Sequence, residues 1–446
     1  MHALKRFWRN LRTSFWFVPS LIVVVSIALA VVLIEADSTA GDQWLGRWPR
    51  LFGADAAGAR AMLSTIAGSM MTVVGITFSM TLVTLALTSS QYTSRILRNF
   101  IRDRVTQVVL GVFAGIFTYC LIVLRTIRGG DDAGFVASVA VSFGVVLAIG
   151  GIGVLIFFIH HIASSIQASS IIAGVAEETM SAVDRLFPER LGQEPAGGAS
   201  DQVPPLESPQ RWQAVPAEGN GYIESVDNAL LLRLAREHDT IVRMERGIGG
   251  FVVQGAPLAS LALESPPDAK IVTVVQAAYS LTRHRTLQQD CAFGIRQIVD
   301  MALRALSPAM NDTTTAVMCV DYLTAILARL AARDIPSPLR HEAGKLRIIA
   351  IGQTFASLVA ESFDQIRGSA GGNVAVMLRM LGALQTIANL TSSPIRQHVL
   401  CDQVQWIAEL ADRTIDSPHD RARFEDRMAR VREALNMHPA AQGARP

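Results

Sequence analysis

The sequence predicts a multi-pass α-helical membrane protein, with four transmembrane helices followed by a C-terminal cytoplasmic α+β domain. That domain reads as a small β module plus a helical bundle. Three observations carry this fold class. The first third holds four long apolar runs without a charge. The composition turns soluble near residue 163, and a glycine-punctuated β-rich stretch then gives way to helical periodicity. The whole chain of 446 residues is 17% charged with a mean hydropathy of +0.33, below the roughly one quarter charged residues of soluble domains.

The four runs are Trp16 to Ile34, Ala61 to Thr88, Val105 to Leu124 and Phe135 to Ile159. Each supplies about the 20 residues a helix needs to cross ~30 Å of hydrocarbon. Orientation follows from basic residues in the short flanks. Lys5, Arg6, Arg9 and Arg12 precede the first run, and Arg95, Arg98, Arg102 and Arg104 separate the second from the third. The other two loops mix arginine with Glu35, Asp37, Asp42, Asp55, Asp131 and Asp132. Both termini are therefore expected in the cytoplasm. The basic start and Ser38-Thr39-Ala40 also permit a signal peptide, but the apolar run is long for one, which favours an uncleaved anchor. These features define a transmembrane domain over 1–162.

A helical extension and linker is expected over 163–219, Pro-, Gly-, Ser- and Glu-rich from 188 onward. The β module follows over 220–267, with Gly247, Gly249, Gly250 and Gly255 as turns. Its Phe251-Val-Val-Gln-Gly-Ala-Pro-Leu ending is like that of a lipoyl or biotinyl carrier, yet residues 163–269 contain no lysine to bear the cofactor. A helical bundle over 268–436 and a tail over 437–446 complete the chain. In the bundle, Ala316, Val320, Leu323, Ile326, Leu327 and Leu330 share one face. The apolar run Leu346 to Ala360 is too short to span a bilayer and reads as a buried bundle helix.

No run contains an Asp, Glu, Lys or Arg, which argues against a coupled secondary transporter. The second run is the most polar. Thr65, Ser69, Thr72, Gly75 and Ser79 lie along one face as pore-lining candidates, with tight helix packing as the competing reading. Gly111 and Gly115 form a GxxxG contact motif. His160 and His161 close the fourth run as gate or sensor candidates, pointing about 100° apart on a helix. Arg95, Arg98 and Arg102 share a face suited to anionic lipid headgroups.

The densest polar cluster is Arg285, Gln289, Asp290, Asp300, Arg304, Asn311 and Asp312. Arg296, Asp300 and Arg304 are spaced for an ion-pair ladder. Pro308 should end that helix, and Asn311 or Asp312 should cap the next. The cluster reads either as structural or as a ligand site. Nothing supplies a nucleophile elbow, a P-loop, an HExxH or a metal triad, and the four cysteines form no CxxC pair. No enzyme, cofactor or metal is expected, and a net charge of +2 gives no nucleic-acid field.

Arg285-Thr-Leu-Gln-Gln-Asp-Cys-Ala-Phe-Gly and Val299-Asp-Met-Ala-Leu-Arg-Ala-Leu-Ser-Pro-Ala-Met-Asn-Asp-Thr carry a resemblance. With Ser90-Gln-Tyr-Thr-Ser-Arg, Phe158-Ile-His-His-Ile and Gly221-Tyr-Ile-Glu, the chain resembles an uncharacterised bacterial family of predicted membrane proteins, domain of unknown function twenty-two fifty-four. The family pattern reads Ser-Pro-Gly-Ile-Asn-Asp-Pro where this chain has Ser-Pro-Ala-Met-Asn-Asp-Thr. The resemblance implies residence in the bacterial inner membrane and supplies no activity. The expected partners are the lipid bilayer, further copies of the chain, and ions or small solutes. The leading expectation is an oligomeric channel gated by its cytoplasmic domain. The alternative is a membrane-anchored sensor or scaffold whose bundle binds a protein or small ligand.

Overall fold

A computed structural model of the chain describes residues 16–40, 56–91, 103–127, 137–165, 167–187, 211–287 and 289–435. The linker from 188 to 210 and the tail from 437 lie outside them. The chain divides into two compact units, one up to Ser170 and one from Ile171.

The first unit is a bundle of α1 (Phe17–Ala40), α2 (Ala56–Gln91), α3 (Arg104–Thr126) and α4 (Ser138–Ser165). Helix α3 is central, with 56% of its apolar span buried against 6% for α1. Phe113, Ile116, Tyr119, Cys120 and Val123 of α3 form the core with Leu63 of α2 and Phe158 of α4. Much of the outward surface is apolar, as Val24, Met71, Ile149 and Ile156 illustrate, with a row of hydroxyls on α2 as an exception. Such a surface suits hydrocarbon, not water.

Side chains from neighbouring helices close the helix ends. At one end of the bundle, Val139 N and Ala140 N of α4 donate to Asp37 Oδ2 of α1 at 2.9 and 3.3 Å. There too Arg60 Nη2 of α2 donates to Ile127 O, beyond the end of α3, at 2.6 Å. These contacts answer the helix dipole with a carboxylate at an N-terminus and a guanidinium at a C-terminus.

Helix α5 (Ala168–Leu186) crosses into the second unit, which continues through β1 (Trp212–Pro216), β2 (Gly221–Val226), α6 (Asn228–Glu237), β3 (Val242–Met244), β4 (Phe251–Val252) and β5 (Pro257–Ala262). Next come α7 (Ala269–Ala278), β6 (Tyr279–Thr282), α8 (Cys291–Ala305) and α9 (Thr313–Ala331). The chain finishes with β7 (Leu339–Glu342), β8 (Lys345–Ile349), α10 (Phe355–Ser369), α11 (Val374–Ala388), α12 (Pro394–Thr414) and α13 (Pro418–Ala434). A five-stranded sheet has the order β1-β5-β3-β8-β7, and a three-stranded sheet the order β4-β2-β6. Among the described residues only β3 and β8 pair in parallel, with Val242 opposite Ile348. Val215, Val242, Met244, Leu261 and Ile348 share a core with Leu231 and Leu234 of α6.

Strands are therefore not confined to 220–267: β1 precedes that range, and β6, β7 and β8 follow it. Leu346 to Ala360 is not one helix either. Its first part is strand β8, where β-branched Ile348 and Ile349 pair with β3. Thr354 then starts α10 with a capping box to Ser357. Helix α5 is tied to α9 and its C-terminal flank, for Arg329 and Arg333 both pair with Asp184 at 2.5 and 2.7 Å.

Five helices among the described residues are long and apolar enough to cross a membrane, namely α1 to α4 and α9. The fifth differs in its surroundings. Asp321 of α9 pairs with Arg379 of α11, and Ala316, Val320, Leu323, Ile326, Leu327 and Leu330 are fully buried in the helical bundle.

Burial decides thiol reactivity here. The Cys291 and Cys319 thiols are pushed up to about 12 by burial, whereas Cys401 is half-buried. Because the thiolate is the nucleophile, an alkylating reagent at neutral pH should label Cys401 first. Cys291 and Cys319 should react only on unfolding, as read by peptide mass mapping.

Candidate functional site

The second helix presents its hydroxyl face away from its own bundle. Thr65, Ser69, Thr72, Gly75 and Ser79 are all exposed. Thr65 Oγ1 donates to Ala61 O at 2.8 Å, Ser69 Oγ to Ile66 O at 2.9 Å and Thr72 Oγ1 to Gly68 O at 3.1 Å. Each of these three hydroxyls is thus satisfied by its own helix, with an oxygen lone pair left facing outward. A Cβ added at Gly68 or Gly75 would meet nothing within 4 Å. Since α3 fills the centre of the bundle, these residues lie on its outside among the described residues.

The GxxxG motif is used inside the chain. A Cβ at Gly111 would come within 2.9 Å of Pro19 Cα and 2.7 Å of Ile22 Cδ1. One at Gly115 would lie 2.5 Å from Ser26 Oγ. Both glycines therefore seat α1 against α3, and the motif is not free to bring two copies together.

The two adjacent histidines have separate environments. His160 is exposed, while His161 points inward and its Nε2 lies 2.9 Å from Asp103 Oδ2. Asp103 is the N-cap of α3, accepting from Val105 N at 3.0 Å, Thr106 N at 3.3 Å and Thr106 Oγ1 at 2.7 Å. Burial pushes this carboxyl up, but the hydrogen bonds from Thr106, His161 and Val105 outweigh it and hold the group below the usual carboxylate value. Asp103 is not among the residues singled out from the sequence, although an Asp just before an apolar run is a helix-start signal.

The C-terminal polar cluster separates into two places. Arg285 Nε and Nη2 both bond Asp290 Oδ2 at 2.8 Å, and Asp290 Oδ1 caps α8 through Phe293 N at 3.1 Å. Gln289 Oε1 accepts from Val226 N of β2 at 3.4 Å, and Thr286 Oγ1 donates to Glu224 Oε1 of the same strand at 3.1 Å. The turn at Gly249, with φ of +81°, rests on the pair, since a Cβ there would be 2.4 Å from Asp290 Oδ2. These residues join the β module to the helices. Burial raises Asp290 above the usual carboxylate range even against the opposing pull of Arg285.

Asn311 and Asp312 lie elsewhere, in the exposed turn between α8 and α9. Asp312 caps α9 by accepting from Thr315 N at 3.0 Å. Asn311 takes the positive φ of 45°, which asparagine tolerates. The left-handed position is thus not Ala309, so the turn does not need the glycine of the family pattern. Asp300 is half-buried and Arg304 exposed on α8, while Arg296 pairs with Glu361 of α10. Arg95, Arg98 and Arg102 lie outside the described residues.

The comparisons agree with a membrane bundle. A family model described as Predicted membrane protein (DUF2254) matches residues 12–386. An uncharacterized protein of Mycobacterium bovis is 33% identical over 388 residues, covering 84% of this chain and 73% of its own. Uncharacterized proteins from two strains of Mycobacterium tuberculosis match with the same identity and coverage. No solved structure matches the chain. The apolar helices, the family model and these bacterial relatives together place the chain in the DUF2254 family of predicted membrane proteins, to which it belongs.

Proposed function

We propose that helices α1 to α4 cross the bacterial inner membrane with both termini cytoplasmic, and that α9 stays in the cytoplasmic bundle with its paired Asp321. In this reading several copies assemble so that the α2 faces surround a path for ions or small solutes. The C-terminal unit gates that path. The observation that carries the reading is the outward hydroxyl face of α2 in a bundle whose centre is filled by α3. A polar face with unused lone pairs suits water better than lipid. The role is non-catalytic.

Reconstitution into liposomes with an ion-flux readout tests it. Thr72→Leu and Ser79→Leu should each lower flux by roughly tenfold, because apolar bulk dewets a hydroxyl-lined constriction. No flux under voltage, tension or pH change favours the second reading, a membrane-anchored sensor or scaffold whose bundle binds a protein or small ligand. That reading has its own support, since Thr65, Ser69 and Thr72 already bond their own helix, which makes the face tolerable against lipid.

A further inference from the structure

The end of the bundle from which the chain continues past α4 holds a compact polar contact. One carboxylate serves two helices there. Asp103 Oδ1 holds Val105 N, which keeps α3 capped, while Oδ2 collects Thr106 and His161. Phe157, one turn before His161 on α4, stacks on the imidazole with centroids 6.1 Å apart and planes 18° apart. The ring is thereby oriented toward Asp103. Four residues later Ser165 ends α4, its Oγ donating to His161 O at 2.7 Å.

The other titratable groups near the pair among the described residues are Arg104 on α3 and His160 on α4, both exposed. The described stretches of α1 and α2 at this end, Phe17 to Val24 and Met80 to Gln91, carry no Asp, Glu, His, Lys or Arg. His161 is therefore the ionisable side chain that meets Asp103 across the two helices among the described residues.

We propose that Asp103 and His161 form a pH-sensitive latch between α3 and α4, closed by protonation of His161. A neutral imidazole gives Asp103 one ordinary hydrogen bond. An imidazolium gives a charge-assisted bond of about twice the strength. The added stability is present while the imidazole carries its second proton and is lost with that proton. Release leaves Val105 N on Oδ1, so the latch opens without uncapping α3. What loosens is the last turn of α4, just before the chain enters α5.

The test is backbone hydrogen exchange of the full chain in lipid nanodiscs at about pH 5.5 and 7.5, after correction for intrinsic rates. Protection of the segment from Phe157 to Ser165 should be about fivefold greater at the lower pH, as expected for a neutral bond becoming charge-assisted. His161→Gln, which keeps a neutral donor, should abolish the response, and His160→Gln should preserve it. A response that survives His161→Gln, or none in the unaltered chain, overturns the latch. If His161→Gln fails to assemble, ring-nitrogen NMR of histidine-labelled His160→Gln protein decides. A His161 titration that tracks the exchange change supports the latch, and one without any exchange change overturns it. The readout is independent of flux: a chain that conducts nothing can still show the latch, and a conducting chain without the response refutes only the latch.

Discussion

Asp290→Ala is expected to destabilise the C-terminal unit by about 3 kcal/mol, at the low end of the cost of breaking a buried ion pair because Arg285 can partly rehydrate. Asp290 is 2% exposed and Arg285 25%. The substitution removes the N-cap of α8, itself worth about 1 kcal/mol, and strands the guanidinium. It also withdraws the carboxylate on which the Gly249 turn rests. The raised carboxyl of Asp290 shows that its desolvation exceeds the help from Arg285. The intact pair is thus no large source of stability, and the loss arises from leaving one partner behind. Asp290→Asn keeps an acceptor for Phe293 N and should lose about half as much, since the cap survives while the ion pair does not. Urea unfolding of the full chain, followed by proteolysis within the C-terminal unit, separates the two variants. Equal losses would assign the whole effect to the ion pair.

The sequence carried the local features of this site and not the long-range ones. The buried face of α9 follows from helical period alone, and Asp312 as its cap follows from an Asp placed before the helix. The divergence of His160 and His161 follows from the 100° step of an α-helix. Asp103 and His161, however, are 58 residues apart in sequence, and no local pattern links an N-cap on one apolar run to the end of another. The same limit hid β7 and β8. Each strand is only 4 or 5 residues long, and the parallel partner of β8 lies about a hundred residues earlier, beyond the reach of any window of periodicity. The arginine, glutamine and aspartate at 285–290 read as a cluster because they are close in sequence, yet their docking on β2 and the Gly249 turn depends on tertiary pairing. The GxxxG motif announced a close helix contact correctly, but spacing alone does not say whether the partner is α1 or a second copy.

Gly111→Leu tests that last distinction with the largest expected effect in the membrane bundle. Helices α1 and α3 run parallel and meet at Gly111, where the nearest atom that cannot swing aside is the backbone Cα of Pro19, 2.9 Å from an added Cβ. Within lipid there is no hydrophobic gain from association, so close packing of α1 on α3 is the main attraction to be lost. Overpacking typically costs about 1–3 kcal/mol, and a leucine against immobile backbone belongs at the upper end. The expected result is separation of α1 from α3, read as a lower midpoint of unfolding in mild detergent and as loss of a crosslink between cysteines placed on the two helices. Gly115→Ala should cost less, because its nearest neighbour is the Ser26 hydroxyl, which can rotate. Gly75→Ala is the control on the outward face of α2. With open space around it, the monomer should gain up to about 1 kcal/mol from a better helix former. Were two copies joined through Gly111, its substitution would dissociate an oligomer and leave the α1–α3 crosslink intact. The observed geometry requires the reverse.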